Sequence, residues 1–340
     1  MKTEELNEEE KKLLEEFRGK VSEFIPEKFF VDELIENKLG HIKMAFLRET
    51  INPFICRSTD AEASITFRLD AKRELIEVPA RKFKSREKLL GLKICRKFGV
   101  VDNEVRYNLF KKRDYLANPN SVLFGDSVTQ EREAAALPSR AIYDWAYSIR
   151  DYSEITDNLQ HNALSESGTM WSEDPTNPGF RESLFTVQYV LPGTIFPHFI
   201  TVDDITPELL FHLLFCVLKQ TRYGAQDTTN APNFSNEIVA IAYSDFEPPV
   251  NSLLIAKEYD LKETITESKV KECVFNKLES AYGNNNILRD GISKDKKLSD
   301  FINYISGLWG EKDQKTLKAI YKKACNDSIV YAQRLGIAKK

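Results

Sequence analysis

The side chains best suited to chemistry in this sequence are cationic, and they are crowded together. Residues 72–113 carry 14 Lys and Arg against 5 Asp and Glu, a local charge of +9 in a chain whose total is −4, which leaves −13 on the remainder. Within this island the run Arg81, Lys82, Phe83, Lys84, Ser85, Arg86 leads into a helical stretch. At about 100° per residue, Arg86, Lys93 and Lys97 fall within about 40° of one another and leave the apolar stripe of Leu90, Ile94 and Phe98. Such a row of cations neutralises the phosphates of a polynucleotide, a gain that does not depend on its sequence. A solvated helix face gives the same pattern, so the island points to nucleic acid without requiring it.

Two further segments suit a single strand. In the turn TRYGA, Arg222 can pair a phosphate, Tyr223 can stack on a base and Gly224 lets backbone approach closely. The alternative is a helix C-cap with a packed tyrosine. In SGTMW, Met170 and Trp171 are large apolar side chains in a polar stretch and can wedge between bases. The alternative is an anchor holding the loop to its own body. Asp60 lies near Arg57, where a carboxylate beside a phosphodiester can act as general base or hold a metal. A turn residue is the favoured reading there.

Other chemistries lack their residues. The phosphate cradles GxGxxG and GxxxxGK[ST] and the nucleophile elbow GxSxG do not occur. The five cysteines form no CxxC pair and the four histidines have neither HxxxH nor HxH spacing. The expectation is reduced thiols, no metal and no cofactor. No apolar run is long enough for a membrane span, and the acidic N-terminus is unlike a signal peptide, so a cytoplasmic protein is expected.

The elements that must position these residues read as follows. Residues 3–25 form an amphipathic helix with a capping box at Asn7 and Glu10. Residues 41–49 alternate as a strand, and a second β-like run follows at ASITFRL. Residues 85–98 form a helix with Ser85 as N-cap and Gly99 as terminator. Residues 105–150 mix short β pieces with turns at NPNS and FGDS. HNALSESGTM and RESLFTVQYVL are the arms of a hairpin-like excursion around the irregular loop 172–180. Residues 206–222 form a buried helix capped by Thr206 and begun by Pro207, and 237–243 a central strand. This order predicts an α+β fold, a ferredoxin-like antiparallel sheet with helices on one face. Three helical stretches beyond Pro248-Pro249 read as a small C-terminal appendage.

Taken in order, HNALSESGTM, LPGTIFPHFITVDDITPELLFHLL, KQTRYGAQ and NEIVAIAY, with LRETINPF, RSTDAE and RKFG upstream, resemble the crRNA-binding backbone subunit of type I-D CRISPR Cascade, of the RAMP superfamily. The resemblance spans about 41–245. It implies an RRM-like palm over 26–248, with fingers inserted at about 51–150 and a thumb at about 161–186, between an N-terminal helix (1–25) and a helical C-terminal region (249–340). It further implies that copies polymerise along CRISPR RNA beside large, small and guide-end-capping Cascade subunits. Each thumb, here Ser167, Met170 and Trp171, then flips out a base. Arg48, Arg57, Arg81, Lys82, Lys84, Arg86, Lys93, Lys97, Arg222 and Tyr223 become the expected RNA contacts. The target the resemblance implies is DNA, RNA or both. Some relatives carry a cysteine-rich metal knuckle where this chain reads NPNSVLFG, and Asn118 and Ser121 supply no thiolates for one. Related type III subunits cut target RNA with a loop aspartate, so a nuclease using Asp60 stands as the alternative to a purely structural subunit.

Overall fold

A computed structural model describes residues 3–57, 63–161, 171–172, 176, 179–180, 185–226, 231–259, 265–291, 297–310 and 314–338. Strands β1 (His41–Thr50), β2 (Ala141–Tyr143), β3 (Ile195–Asp203), β4 (Phe234–Ser244) and β5 (Ile287–Leu288) pair antiparallel in the order β5-β4-β1-β3-β2. Helix α1 (Glu8–Ser22) precedes the sheet. Helices α2 (Ala80–Lys97) and α3 (Pro119–Phe124) lie between β1 and β2, and α4 (Pro207–Lys219) lies between β3 and β4. The inner order β4-β1-β3-β2, with crossover helices α2 and α4, is the expected ferredoxin-like arrangement.

The sheet is covered on both faces, not on one as the sequence suggests. Alternation along β1 sends Ile42, Met44 and Phe46 into the core shared with α2 and α4, and Ala45 and Leu47 into a second core. That second core is closed by α5 (Ser252–Ala256) and α6 (Glu267–Tyr282), which contribute Ile255, Val270, Val274 and Leu278. The spacing of the last three is the one-face repeat of an amphipathic helix. An RRM that reads RNA by stacking bases on its open sheet face needs that face bare, and here it is occupied.

The C-terminal region is helical as expected, but it builds part of the main core. Helices α7 (Leu298–Gly307) and α8 (Lys315–Arg334) place Phe301, Ile305, Leu317, Ile320 and Tyr321 there. Tyr321 stacks on Phe98 with ring centroids 4.5 Å apart. Helix α1 docks on its own chain through Arg18, whose Nε donates to the fully buried Glu208 at 2.6 Å. Its Asn7–Glu10 capping box is present.

Two local expectations fail. Helix α2 begins at Ala80 with Pro79 at the cap, and Ser85 lies inside it. The proline fixes the entry conformation, and Phe83 joins the core about two turns before the apolar stripe used to place the start. NPNS is a helix start, because the Asn118 side chain accepts from Ser121 N and Pro119 begins α3.

Asp144, just beyond β2, accepts from Ser252 N at the start of α5 at 2.6 Å. Burial pushes its carboxyl up to about 6. A folded-state value above the ordinary one means that the folded chain takes up this proton first as pH falls from 7 through 6. The group therefore adds stability on mild acidification. Asp144→Asn should be more stable than the parent by about 1–2 kcal/mol at pH 7 and lose about half of that advantage by pH 5, where the folded-state carboxyl is protonated and the unfolded one still ionised. Melting temperatures of both proteins at the two pH values check this, and an advantage independent of pH contradicts it.

Candidate nucleic-acid interface

At the end of the palm where β1 finishes, four segments converge on residues 51–57. The first is the foot of the hairpin: Phe54 exchanges two backbone hydrogen bonds with Val190, at 3.1 and 2.8 Å. Val190 ends the arm Phe185–Val190, which pairs antiparallel with Thr156–His161. The second is the turn after α4, where Ala225 N donates to Ile55 O at 3.0 Å. The third is the first turn of α2, where Lys82 Nζ donates to Arg57 O at 2.5 Å. The fourth is the entry to β4, where Asn52 Nδ2 donates to Pro232 O at 2.6 Å.

Between these segments opens a cleft of about 340 Å³ lined by Asn52, Ile55, Leu159, Val187, Tyr189 and Gln226, among others. Leu159 is half exposed and stands in its wall. Gln226 holds a left-handed backbone, φ 58°, a conformation that for a non-glycine residue persists only where its surroundings enforce it. Arg222 and Arg81 are exposed beside the converging segments and Arg57 is half-buried. Apolar and aromatic walls suit unpaired bases, and arginines on the converging segments suit their phosphates.

The turn TRYGA is built by one buried cluster. Tyr223 is fully buried, and its hydroxyl donates to Glu87 Oε1 at 2.7 Å while accepting from Asn236 Nδ2 at 3.1 Å. Arg48, also fully buried, donates from Nη1 to Glu87 Oε1 at 2.7 Å and from Nε to His198 Nδ1 at 3.1 Å. The Tyr143 hydroxyl donates to the other Glu87 oxygen. Burial first, then the Glu87 charge, holds both tyrosine hydroxyls well above their ordinary range, so they remain donors. Burial and then the Arg48 charge push His198 well below its usual value. A neutral imidazole accepting on Nδ1 and donating from Nε2 to Asp144 O at 3.1 Å follows. Gly224 completes the turn at φ 83°, pressed against Phe54 and Ile55.

The expected RNA contacts therefore separate. Arg222, Arg81 and Arg57 belong to the converging segments. Arg48 and Tyr223 do not face solvent, a correction to the sequence reading: the packed-tyrosine alternative for TRYGA is the observed one, and Arg48 is buried beneath it, ion-paired with Glu87. Lys84 is turned inward as well, donating to Ser139 Oγ at 2.7 Å and Ala141 O at 3.0 Å. Burial and the neighbouring Lys88 push its ammonium down to about 8. Lys82 engages the Arg57 carbonyl. Lys93 and Lys97 are exposed, Arg86 half so, but they follow α2 away from the cleft. Lys97 sits over the Trp309 ring at 4.5 Å, and the helix rises about 24 Å between Arg81 and Lys97.

Trp171 is 51 % exposed, and its backbone pairs with Phe180. Ser167, Met170 and Asp60 lie outside the described residues. Among the described residues no group of His, Cys, Asp or Glu has metal-holding geometry, and no helix is long and apolar enough to cross a membrane. Sequence reasoning missed Glu87, Asn236, Leu159 and Tyr189. Glu87 had a signal: it is an acid inside a basic run, one helical turn from Phe83 and so on the buried face.

Comparisons with known proteins agree with this architecture. The Csc2 CRISPR family model matches residues 43–319. No curated protein sequence matches significantly. The crystal structure of Thermofilum pendens Csc2 superposes with a TM-score of 0.57 at 15 % identity, covering 93 % of this chain and 94 % of that one. A chain of a CRISPR RNA-guided surveillance complex superposes with a TM-score of 0.50 at 10 % identity, covering 79 % and 98 % respectively. These two likenesses speak for the fold, and the family match over most of the chain for the lineage: this protein belongs to the Csc2 CRISPR family.

Proposed function

We propose that this chain is the repeated guide-RNA-binding backbone subunit of a type I-D Cascade complex, working in the cytoplasm beside other Cascade subunits. The observation that carries the reading is the convergence of the segments bearing Arg57, Arg81 and Arg222 at the hairpin foot, where an apolar cleft opens, in a chain of a CRISPR family. Phosphates bind the arginines regardless of sequence, and bases rest against the cleft walls. Sequence specificity is then left to base pairing between the guide and the target, DNA or RNA. With both sheet faces covered, RNA runs across the end of the palm, not over the sheet. No catalytic group is needed for this role.

The test is the salt dependence of single-stranded RNA binding. Each phosphate contact contributes about 0.7 to the slope of log affinity against log salt. Reversing the charge at Arg57, Arg81 and Arg222 together should flatten that slope by about 2. An unchanged slope overturns the placement of the RNA.

A further inference from the structure

The exposed Arg222 is held by a residue that the sequence does not single out. Asn233, just before β4, is 3 % exposed. Its Oδ1 accepts from Tyr223 N at 2.9 Å and its Nδ2 donates to Tyr223 O at 2.9 Å. Both polar ends of the side chain are thus spent on the backbone of one residue, as a paired strand would spend them. The Asn233 backbone N–H donates to Thr221 O at 2.8 Å, and its carbonyl accepts from Ile51 N at 3.0 Å. Residues 221 and 223 are gripped from the same side, and Arg222 lies between them with its side chain exposed. Below, the Tyr223 ring is fixed by Glu87, and beyond it Gly224 is pressed on Ile55.

We propose that Asn233 is a positioning residue for Arg222, clamping the turn so that the guanidinium meets an RNA phosphate without first being ordered. The inference rests on the reading of the chain as an RNA binder. Without the clamp the guanidinium no longer reaches the phosphate, because ordering a free turn costs more than one contact returns. Asn233 touches no RNA in this scheme, so everything it contributes to affinity passes through Arg222.

A double-mutant cycle with the full chain and a single-stranded oligouridylate tests this. Arg222→Ala and Asn233→Ala should each weaken binding about fivefold and lower the salt slope by about 0.7, one phosphate contact on a single strand. The double variant should bind no more weakly than Arg222→Ala, since coupled residues do not add. Losses that multiply in the double variant, or a slope that Asn233→Ala leaves unchanged, overturn the positioning role. If Arg222→Ala alone changes nothing, the role falls while RNA binding through other contacts stands. A parent chain that binds no oligouridylate sinks both. Should Asn233→Ala fail to fold, Asn233→Asp keeps the acceptor for Tyr223 N and loses the donor to Tyr223 O. It must then lower the slope in the same direction, and an unchanged slope in a folded Asp variant is equally fatal.

Discussion

Glu87→Ala should cost about 3–5 kcal/mol of stability, the largest effect of any single substitution in the palm. Glu87 and Arg48 are both fully buried and joined at 2.7 Å. Removing the carboxylate leaves a guanidinium in the core without its counter-ion, and the hydroxyls of Tyr143 and Tyr223 without their acceptor. One Arg48 nitrogen, Nη2, already lacks a hydrogen-bond partner, so the site has no spare acceptor to compensate. Replacing the pair together, as Arg48→Met with Glu87→Leu, should recover part of the loss, because the orphaned charge is then gone. Urea denaturation followed by circular dichroism reads both values. A Glu87→Ala loss under about 1 kcal/mol would mean that the pair is not buried as described.

Gly224→Ala should follow at about 2–4 kcal/mol, and it has an internal control. Gly224 and Gly193 share φ 83°, but a Cβ at Gly193 meets nothing within 4 Å, whereas one at Gly224 falls 2.5 Å from Ile55 O and 2.7 Å from the Phe54 ring. Backbone cannot give way as a side-chain tip can. The Gly193→Ala loss, about 1–2 kcal/mol, measures the left-handed conformation alone. The excess at Gly224 measures the contact that docks the turn on 51–57. Gly224→Ala should also displace Arg222 and weaken RNA binding, while Gly193→Ala leaves binding at the parent level. Equal losses at the two glycines would show that the close approach carries no weight.

What the sequence revealed and what it hid divide by the distance between interacting residues. The Asn7–Glu10 box and the Thr206 cap with Pro207 are legible because donor, acceptor and proline lie within one helical turn. The order of strands and crossover helices is legible because each element carries its own periodicity. Tyr223 is not: its partner Glu87 is 136 residues away, and a tyrosine in an arginine-glycine turn looks identical whether it stacks on a base or fills a core. Lys84 misleads similarly. It belongs to a basic run, yet Phe83 and Glu87 on the buried face of α2 carry it to the carbonyl of Ala141. Covering of the second sheet face was hidden because the apolar stripe of α6 is compatible with any neutral partner surface. Only the fold shows that the partner is Ala45, Leu47 and Ala240.

We place the RNA across the hairpin-foot end of the palm, held there by Arg57, Arg81 and Arg222. Equilibrium binding of a single-stranded oligouridylate over a range of salt, using two charge-reversal variants, tests it most directly. Reversal of the three arginines should flatten the salt slope by about 2, whereas reversal of Lys93 and Lys97 at the far end of α2 should leave it within error of the parent. The opposite ranking, with the lysine variant impaired and the arginine variant intact, would move the RNA to the other end of the helix and contradict the account.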